Sequence, residues 1–296
     1  MKATRQGLKI SVVGAGSVGT TLATMLHRSG NEIVAVVSRR TDSARTCGRM
    51  VSCRNCSDDV AVIPSSSNLV VIAVPDQAIR PVAESLAVLP NLIFKRLFVC
   101  HTSGAMTSDV LGTVARHGAR VFSLHPIQTF PKQKSLNVQI RSMNGITYGF
   151  EGPEVSRAMA KKLVRQLGGD ILCIPKEGKI LYHLACVIAS NYSVALIGAL
   201  DAIAGKVTLK RHKPFEKLLQ TSVENAMKLG AGKALTGPIV RGDAELVSEH
   251  LRSIHDPQLR SLYKSLGAYT LTLAIEEGRL TNEQSTRLRE LLMVQE

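Results

Sequence analysis

The first half of the chain alternates between short apolar runs and longer segments whose apolar residues recur every three or four positions. The runs at Lys9–Val13, Glu32–Val37, Asn68–Val74, Leu97–His101, Arg120–Leu124, Ile146–Phe150 and Asp170–Ile174 predict strands, with a short one near Val60–Ile63. A continuous run such as Leu69-Val70-Val71-Ile72-Ala73-Val74 suits a strand buried on both faces of a parallel sheet. Helices are expected at Thr20–Ser29, Thr41–Met50, Gln77–Leu89, Thr107–Arg116 and Pro153–Leu167, the last with proline in its first turn. This alternation predicts a doubly wound α/β domain of the Rossmann type over residues 1–175. From Lys176 the strand pattern stops. Lys179–Ile203, Pro214–Leu229, Ala244–Ser253, Pro257–Glu276 and Asn282–Leu292 read as helices, so residues 176–296 are expected to form an all-α domain. The small residues Ala195, Gly198, Ala199 and Ala202 favour close helix packing, often between subunits.

The first strand runs directly into Gly14-Ala15-Gly16-Ser17-Val18-Gly19 and then into a helix and a second strand. In that βαβ context Gly-x-Gly-x-x-Gly is a dinucleotide fingerprint. Gly14 permits the tight turn, Gly16 lets backbone approach a pyrophosphate, and Gly19 lets helix pack on strand. The free N–H groups of the helix N-terminus face the phosphates. The second strand ends in Ser38-Arg39-Arg40-Thr41, where readers of NAD usually place an acid on the ribose hydroxyls. Two guanidiniums suit a 2′-phosphate through forked hydrogen bonds, so NADP is favoured and NAD stays possible.

Composition narrows the setting. No run of about 18 apolar residues is free of charge, which argues against a membrane span. The stretch Met1–Gly7 is short and basic with no apolar leader core, so the cytoplasm is the expectation. Cys47, Cys53, Cys56, Cys100, Cys173 and Cys186 are scattered, as in a reducing compartment. Cys53-x-x-Cys56 alone resembles a metal or redox pair, and no second pair of Cys or His stands near it. The net charge of +14 is uneven: residues 1–176 carry 22 Lys and Arg against 10 Asp and Glu, and the rest carry 15 against 13. The basic residues are dispersed and Trp is absent, so the charge reads as steering for an anionic cofactor and a small anionic substrate, not as a nucleic-acid surface.

Ligands of open α/β sheets bind beyond the carboxyl ends of the strands. Those ends carry the glycine turn, Ser38 to Arg40, Val74-Pro75-Asp76, His101-Thr102-Ser103-Gly104 and His125-Pro126. His101 and His125 stand where a nicotinamide and its substrate would lie, or serve as capped turn residues. The first helix of the second domain carries Lys179, His183, Val187 and Asn191 at four-residue spacing, near one face. Carbonyl reduction needs a proton donor and groups that polarise the C=O. Lys179 and His183 suit the first role, Asn191 and Ser103 the second; a solvated face or satisfied core groups are the alternative. Arg241, in Thr236-Gly237-Pro238-Ile239-Val240-Arg241-Gly242-Asp243, is a candidate clamp for a substrate carboxylate, with His125 as the other. Asp243 is placed to cap the next helix.

Across essentially its whole length the chain resembles the 6-phosphogluconate dehydrogenase-like group of two-domain reductases, which includes β-hydroxyacid dehydrogenases, ketopantoate reductases and pyrroline-5-carboxylate reductases. It is most similar to a bacterial family with a Rossmann-like N-terminal domain and a helical C-terminal domain, some of whose members act as alternative ketopantoate reductases. The motifs carrying this are the glycine turn, Val74-Pro75-Asp76, His101-Thr102-Ser103-Gly104-Ala105, Leu124-His125-Pro126, Tyr182-His183 with Ser190-Asn191-Tyr192, and Gly237-Pro238 with Arg241-Gly242-Asp243. The resemblance implies reduction of a small 2-oxo acid such as ketopantoate by NADPH, with an imine reductase or a non-catalytic NADP-binding regulator as alternatives. It also implies a homodimer built through the helical domain. The Lys-x-x-x-Asn of the related reductases places their proton donor at Lys179, while His183 stands where they carry Asn. The donor is therefore Lys179, or His183 tuned by Lys179.

Overall fold

The computed structural model describes residues 7–207 and 210–293, so the basic N-terminal segment 1–6 lies outside the described residues. The chain divides into two compact units, 1–191 and 192–296. The first holds an eight-stranded sheet in the order β3-β2-β1-β4-β5-β6-β7-β8. Its strands are β1 (Lys9–Val13), β2 (Glu32–Val37), β3 (Cys56–Ser57), β4 (Leu69–Ile72), β5 (Phe98–His101), β6 (Arg120–Pro126), β7 (Thr147–Glu151) and β8 (Asp170–Cys173). Its helices are α1 (Ser17–Arg28), α2 (Thr41–Met50), α3 (Asp76–Ala87), α4 (Gly112–Arg116), α5 (Leu136–Ser142), α6 (Glu154–Gln166) and α7 (Lys179–Val187).

The apolar runs become strands because successive side chains feed two cores. Leu69 and Val71 of β4 join Leu22, Leu26 and Leu163 on one face; Val70 and Ile72 join Ile79, Leu86 and Val114 on the other. The strand expected near Val60–Ile63 is instead a 3₁₀ turn, Val60–Val62, because the Asp59 carboxylate accepts from the Ala61 N–H (2.9 Å). The pairing with β2 falls to Cys56 and Ser57.

Strands β1 to β6 are parallel, but β7 runs antiparallel to β6, and β8 is parallel to β7. The chain between β6 and β7 carries the loop 127–135 and the short helix α5, and β7 enters the sheet from the end where β6 leaves.

The helix expected from Lys179 to Ile203 is α7, a π turn (Ile188–Tyr192) and α8 (Ser193–Ala204). The division falls after Asn191 and not at residue 175, because the side chains of α7 are tied to β6, as described below. Lys176–Ala204 is long and apolar enough to cross a membrane by length and composition, with mean hydropathy 1.7 and none of that window buried in the chain. This corrects the expectation drawn from sequence: residues 180–200 contain no Asp, Glu, Lys or Arg, and only His183, Ser190, Asn191 and Ser193 with two tyrosines interrupt the apolar pattern. Within the first unit, Lys179 near the start of this run is buried against β6.

The second unit continues with α9 (Glu216–Leu229), α10 (Ala231–Ala234), α11 (Ala244–Ser253), α12 (Pro257–Glu276) and α13 (Asn282–Met293), with no strand among its described residues. Val247, Leu251, Leu271, Leu288 and Leu292 form its core. Asp243 and Asp256 cap α11 and α12, accepting from Leu246 N–H (3.1 Å) and Gln258 N–H (2.8 Å).

Candidate active site

The turn between β1 and α1 has the geometry that its glycines permit. Gly14 has φ +106°, and a Cβ there would strike the Ala73 carbonyl. A Cβ on Gly19 would strike the Gly14 carbonyl, so α1 packs against the turn only without one. Gly16 opens on empty space, with nothing within 4 Å of a Cβ position. That space belongs to a cleft of about 1160 Å³, lined among others by Gly14, Ala15, Gly16, Ser38, Arg39 and Arg40. Val74 and Pro75, next to the turn, line it too, as do Asp58, Asp59 and Lys132. Backbone donors at the head of α1, two guanidiniums and an open glycine fit a phosphorylated dinucleotide. Ser17 heads α1, whereas Val18 packs toward the apolar core.

A second set of groups gathers where β5 and β6 end. Ser123 and His125 are two apart on β6 and point to one side; Lys179 and Tyr182 are three apart on α7 and point back at them. The Lys179 ammonium donates to Ser123 Oγ (2.8 Å), and Ser123 Oγ donates to the Ser103 carbonyl (3.1 Å). His125 Nδ1 and Tyr182 Oη are 2.6 Å apart. Gly149, opposite His125 on β7, admits that phenol: a Cβ there would collide with Tyr182 Oη. Gly104 does the same for the imidazoles, since its Cβ position lies 2.7 Å from His183 Cδ2 and 3.1 Å from His125 Nε2.

Burial sets the charges. Lys179 is 1% exposed, and desolvation lowers its pKa to about 8, against an upward pull from the Glu151 carboxylate. Burial first, then the Lys179 charge, pushes His125 down to about 4, so it is neutral at pH 7. Burial also pushes the Tyr182 phenol up. One buried cation therefore stands beside a neutral imidazole–phenol pair. Glu151 is occupied, accepting from the N–H (2.6 Å) and hydroxyl (3.0 Å) of Ser108.

His101 plays a different part from the one the sequence offers. Its ring is fully buried; the Ser103 N–H donates to Nδ1 (3.2 Å), so Nε2 carries the proton and donates to the Thr107 carbonyl (3.2 Å). Burial lowers its pKa to about 4, and both ring nitrogens shape the turn after β5. Thr102 continues the ladder, its N–H on the Ile72 carbonyl, and does not line the cleft. The Ser103 hydroxyl accepts from the N–H groups of Ala105 (3.2 Å) and Met106 (3.0 Å). Asn191 is exposed on the π turn, its amide oxygen taken by the Ser190 hydroxyl (2.9 Å). Arg241 is exposed in the second unit, on the turn before α11. The three cysteines 47, 53 and 56 are free, and no metal cluster occurs among the described residues. Sequence reading passed over Ser123 and gave Tyr182 no role; the signal for Ser123 was a lone hydroxyl in Val121-Phe122-Ser123-Leu124, in register with His125.

Residues 2–126 match a Rossmann-like domain, and residues 146–270 match the domain of unknown function DUF2520. The chain belongs to the family that joins these two domains. Two solved structures share this arrangement. The Thermotoga maritima protein TM1727 is 27% identical, with TM-score 0.70, covering 91% of this chain and 99% of that one. A Bacteroides fragilis protein described as an NADP oxidoreductase is 24% identical, with TM-score 0.75, covering 90% and 99%. A pyrroline-5-carboxylate reductase from Coxiella burnetii, 15% identical with TM-score 0.56 over 97% and 99%, shares the fold. In this Rossmann-like–DUF2520 chain, 119 residues are 31% identical to the NAD(P)+ glycerol-3-phosphate dehydrogenase of Lysinibacillus sphaericus. That match is 36% of this chain and 34% of the relative, so the chain spans about a third of the relative's length.

Proposed function

We propose that this chain is a cytoplasmic NADP-dependent oxidoreductase that reduces the carbonyl of a small 2-oxo acid, with NAD as its second dinucleotide. The observation that carries this is Lys179: a buried ammonium with a pKa of about 8, fixed by Ser123 and poised near neutral pH. The glycine turn with Arg39 and Arg40 supports the choice of NADP. The relatives described as NAD(P) oxidoreductases support the reaction class.

A nicotinamide held by the glycine turn would supply the hydride for the carbonyl carbon. As charge grows on the oxygen, the Lys179 ammonium gives it a proton, and the resulting amine recovers one from water. Ser123 fixes the direction of that ammonium, and the neutral His125 offers a hydrogen bond through Nε2 while Tyr182 holds Nδ1. The same cation favours a neutral carbonyl over a protonated imine, whose charge it would repel. That ranks the 2-oxo acid ahead of an imine substrate.

The reading further makes the chain a homodimer. Ile180, Leu181, Leu184 and Ile188 are large and exposed, as are Val194, Leu218, Val223 and Met227 of the second unit. Apolar surface of this extent marks an interface. NADPH oxidation with a panel of 2-oxo acids tests the function. Turnover that disappears in Lys179→Met with nucleotide affinity retained supports it. Tight NADPH binding without reduction of any 2-oxo acid or cyclic imine would leave the regulatory role instead.

A further inference from the structure

The loop between β6 and α5, residues 127–135, is pinned along its length. Gln128 donates to the Ser142 carbonyl (2.8 Å) at the far end of α5 and accepts from the Thr129 N–H (2.8 Å). Phe130 packs against the core. Gln139, buried on α5, donates to the carbonyls of Pro131 (3.2 Å) and Lys134 (3.3 Å), and its amide oxygen accepts from Thr21 Oγ1 (3.0 Å) of α1. One buried amide thus ties both sides of Lys132 to the N-terminal half of the helix that follows the glycine turn. Lys132 itself lines the same cleft as Gly14 and Gly16. No carboxylate among the described residues pairs with its ammonium.

We infer that this loop is a phosphate strap: Lys132 binds the pyrophosphate of the dinucleotide, and Gln139 is the positioning residue that holds the strap on α1. The inference rests on the nucleotide reading above and adds a contact that the glycine fingerprint does not contain. The head of α1 offers N–H groups and a partial charge, but no full positive charge. A pyrophosphate carries two negative charges, and a lysine on a pinned loop supplies a point cation on a flexible stem. Because the pyrophosphate is common to NADPH and NADH, Lys132 raises affinity for both alike. Arg39 and Arg40, placed for the 2′-phosphate, set the ratio between them.

Titration of the full-length protein with NADPH and with NADH, followed by nicotinamide fluorescence, tests this. Lys132→Met weakens both nucleotides by about tenfold and flattens the salt dependence of binding, with the NADPH-to-NADH ratio unchanged. Gln139→Leu weakens both in the same way, and the double variant is no weaker than Lys132→Met alone, since the two act through one contact. Wild-type affinity for both nucleotides in Lys132→Met overturns the strap while leaving the nucleotide reading in place. A changed ratio moves Lys132 to the 2′-phosphate and overturns the pyrophosphate assignment. A wild-type protein that binds neither nucleotide overturns both.

Discussion

Replacing Lys179 by methionine is expected to make the protein more stable at pH 7 and inactive. The side chain is buried, and desolvation lowers its pKa from 10.5 to about 8. A difference of about 2.5 units corresponds to about 3 kcal/mol by which the buried ammonium disfavours the folded state at neutral pH. Methionine fills similar volume without charge. It leaves Ser123 Oγ without a donor, at a cost of about 1 kcal/mol, although that hydroxyl still donates to the Ser103 carbonyl. The net gain at pH 7 is about 2 kcal/mol.

The sign of the pH dependence separates this from ordinary repacking. The folded pKa lies below the unfolded one, so between about pH 8 and 10.5 the unfolded chain binds more protons, and wild-type stability rises with pH in that window. Below pH 8 both states hold the proton and the penalty is constant. The advantage of Lys179→Met therefore shrinks by about 2.5 kcal/mol between pH 7 and pH 10. Urea unfolding of both proteins at the two pH values gives the difference directly, because every other titrating group is shared. A stability difference that does not change with pH, or a variant less stable than wild type at pH 7, would refute the desolvated cation and the proton donor built on it.

Other expectations follow from the same geometry. Arg39→Ala combined with Arg40→Ala weakens NADPH about a hundredfold and NADH little, measured by fluorescence titration; equal losses would detach these residues from the 2′-phosphate. Tyr182→Phe removes the 2.6 Å partner of His125, lowering kcat/KM about tenfold with KM for NADPH unchanged. Gly149→Ala displaces the same phenol and should cost more than Tyr182→Phe in both stability and turnover, read from thermal melts and steady-state rates. In the reductive direction kcat falls above about pH 8 as Lys179 loses its proton; Glu151→Gln moves that limb to lower pH by withdrawing the carboxylate that supports the charge.

Much of the fold was legible because local and tertiary demands agree there. Glu32–Val37, Thr41–Met50, Ala244–Ser253 and Pro257–Glu276 end where apolar periodicity, a capping aspartate or a first-turn proline place them. The misplaced third strand shows the opposite case. Val60-Ala61-Val62-Ile63 has the composition of a strand, yet the Asp59 carboxylate on the Ala61 N–H turns it into a 3₁₀ helix. The reversal of β7 was equally hidden, since an apolar run reads the same whether its strand pairs parallel or antiparallel, and α5 is too short and too weakly periodic to be read.

The site was legible by position and illegible by partnership, for a physical reason. The ends of strands and the polar residues of an apolar helix can be found from one-dimensional pattern, which is how Lys179, His125 and the glycine turn were reached. Which of them touch depends on matching a strand period of two against a helix period near three and a half. Ser123 and His125 meet Lys179 and Tyr182 only because two residues of β6 cover about the same length as three or four of α7. The residue that pattern favoured after Lys179 was His183, one helical turn on. The one that bonds His125 is its neighbour Tyr182, selected because Gly149 leaves room above β7 for a phenol. The specificity of this site is thus written in a glycine on a strand that carries no chemistry of its own, and exchanging that glycine should disturb catalysis more than exchanging the polar groups of the π turn.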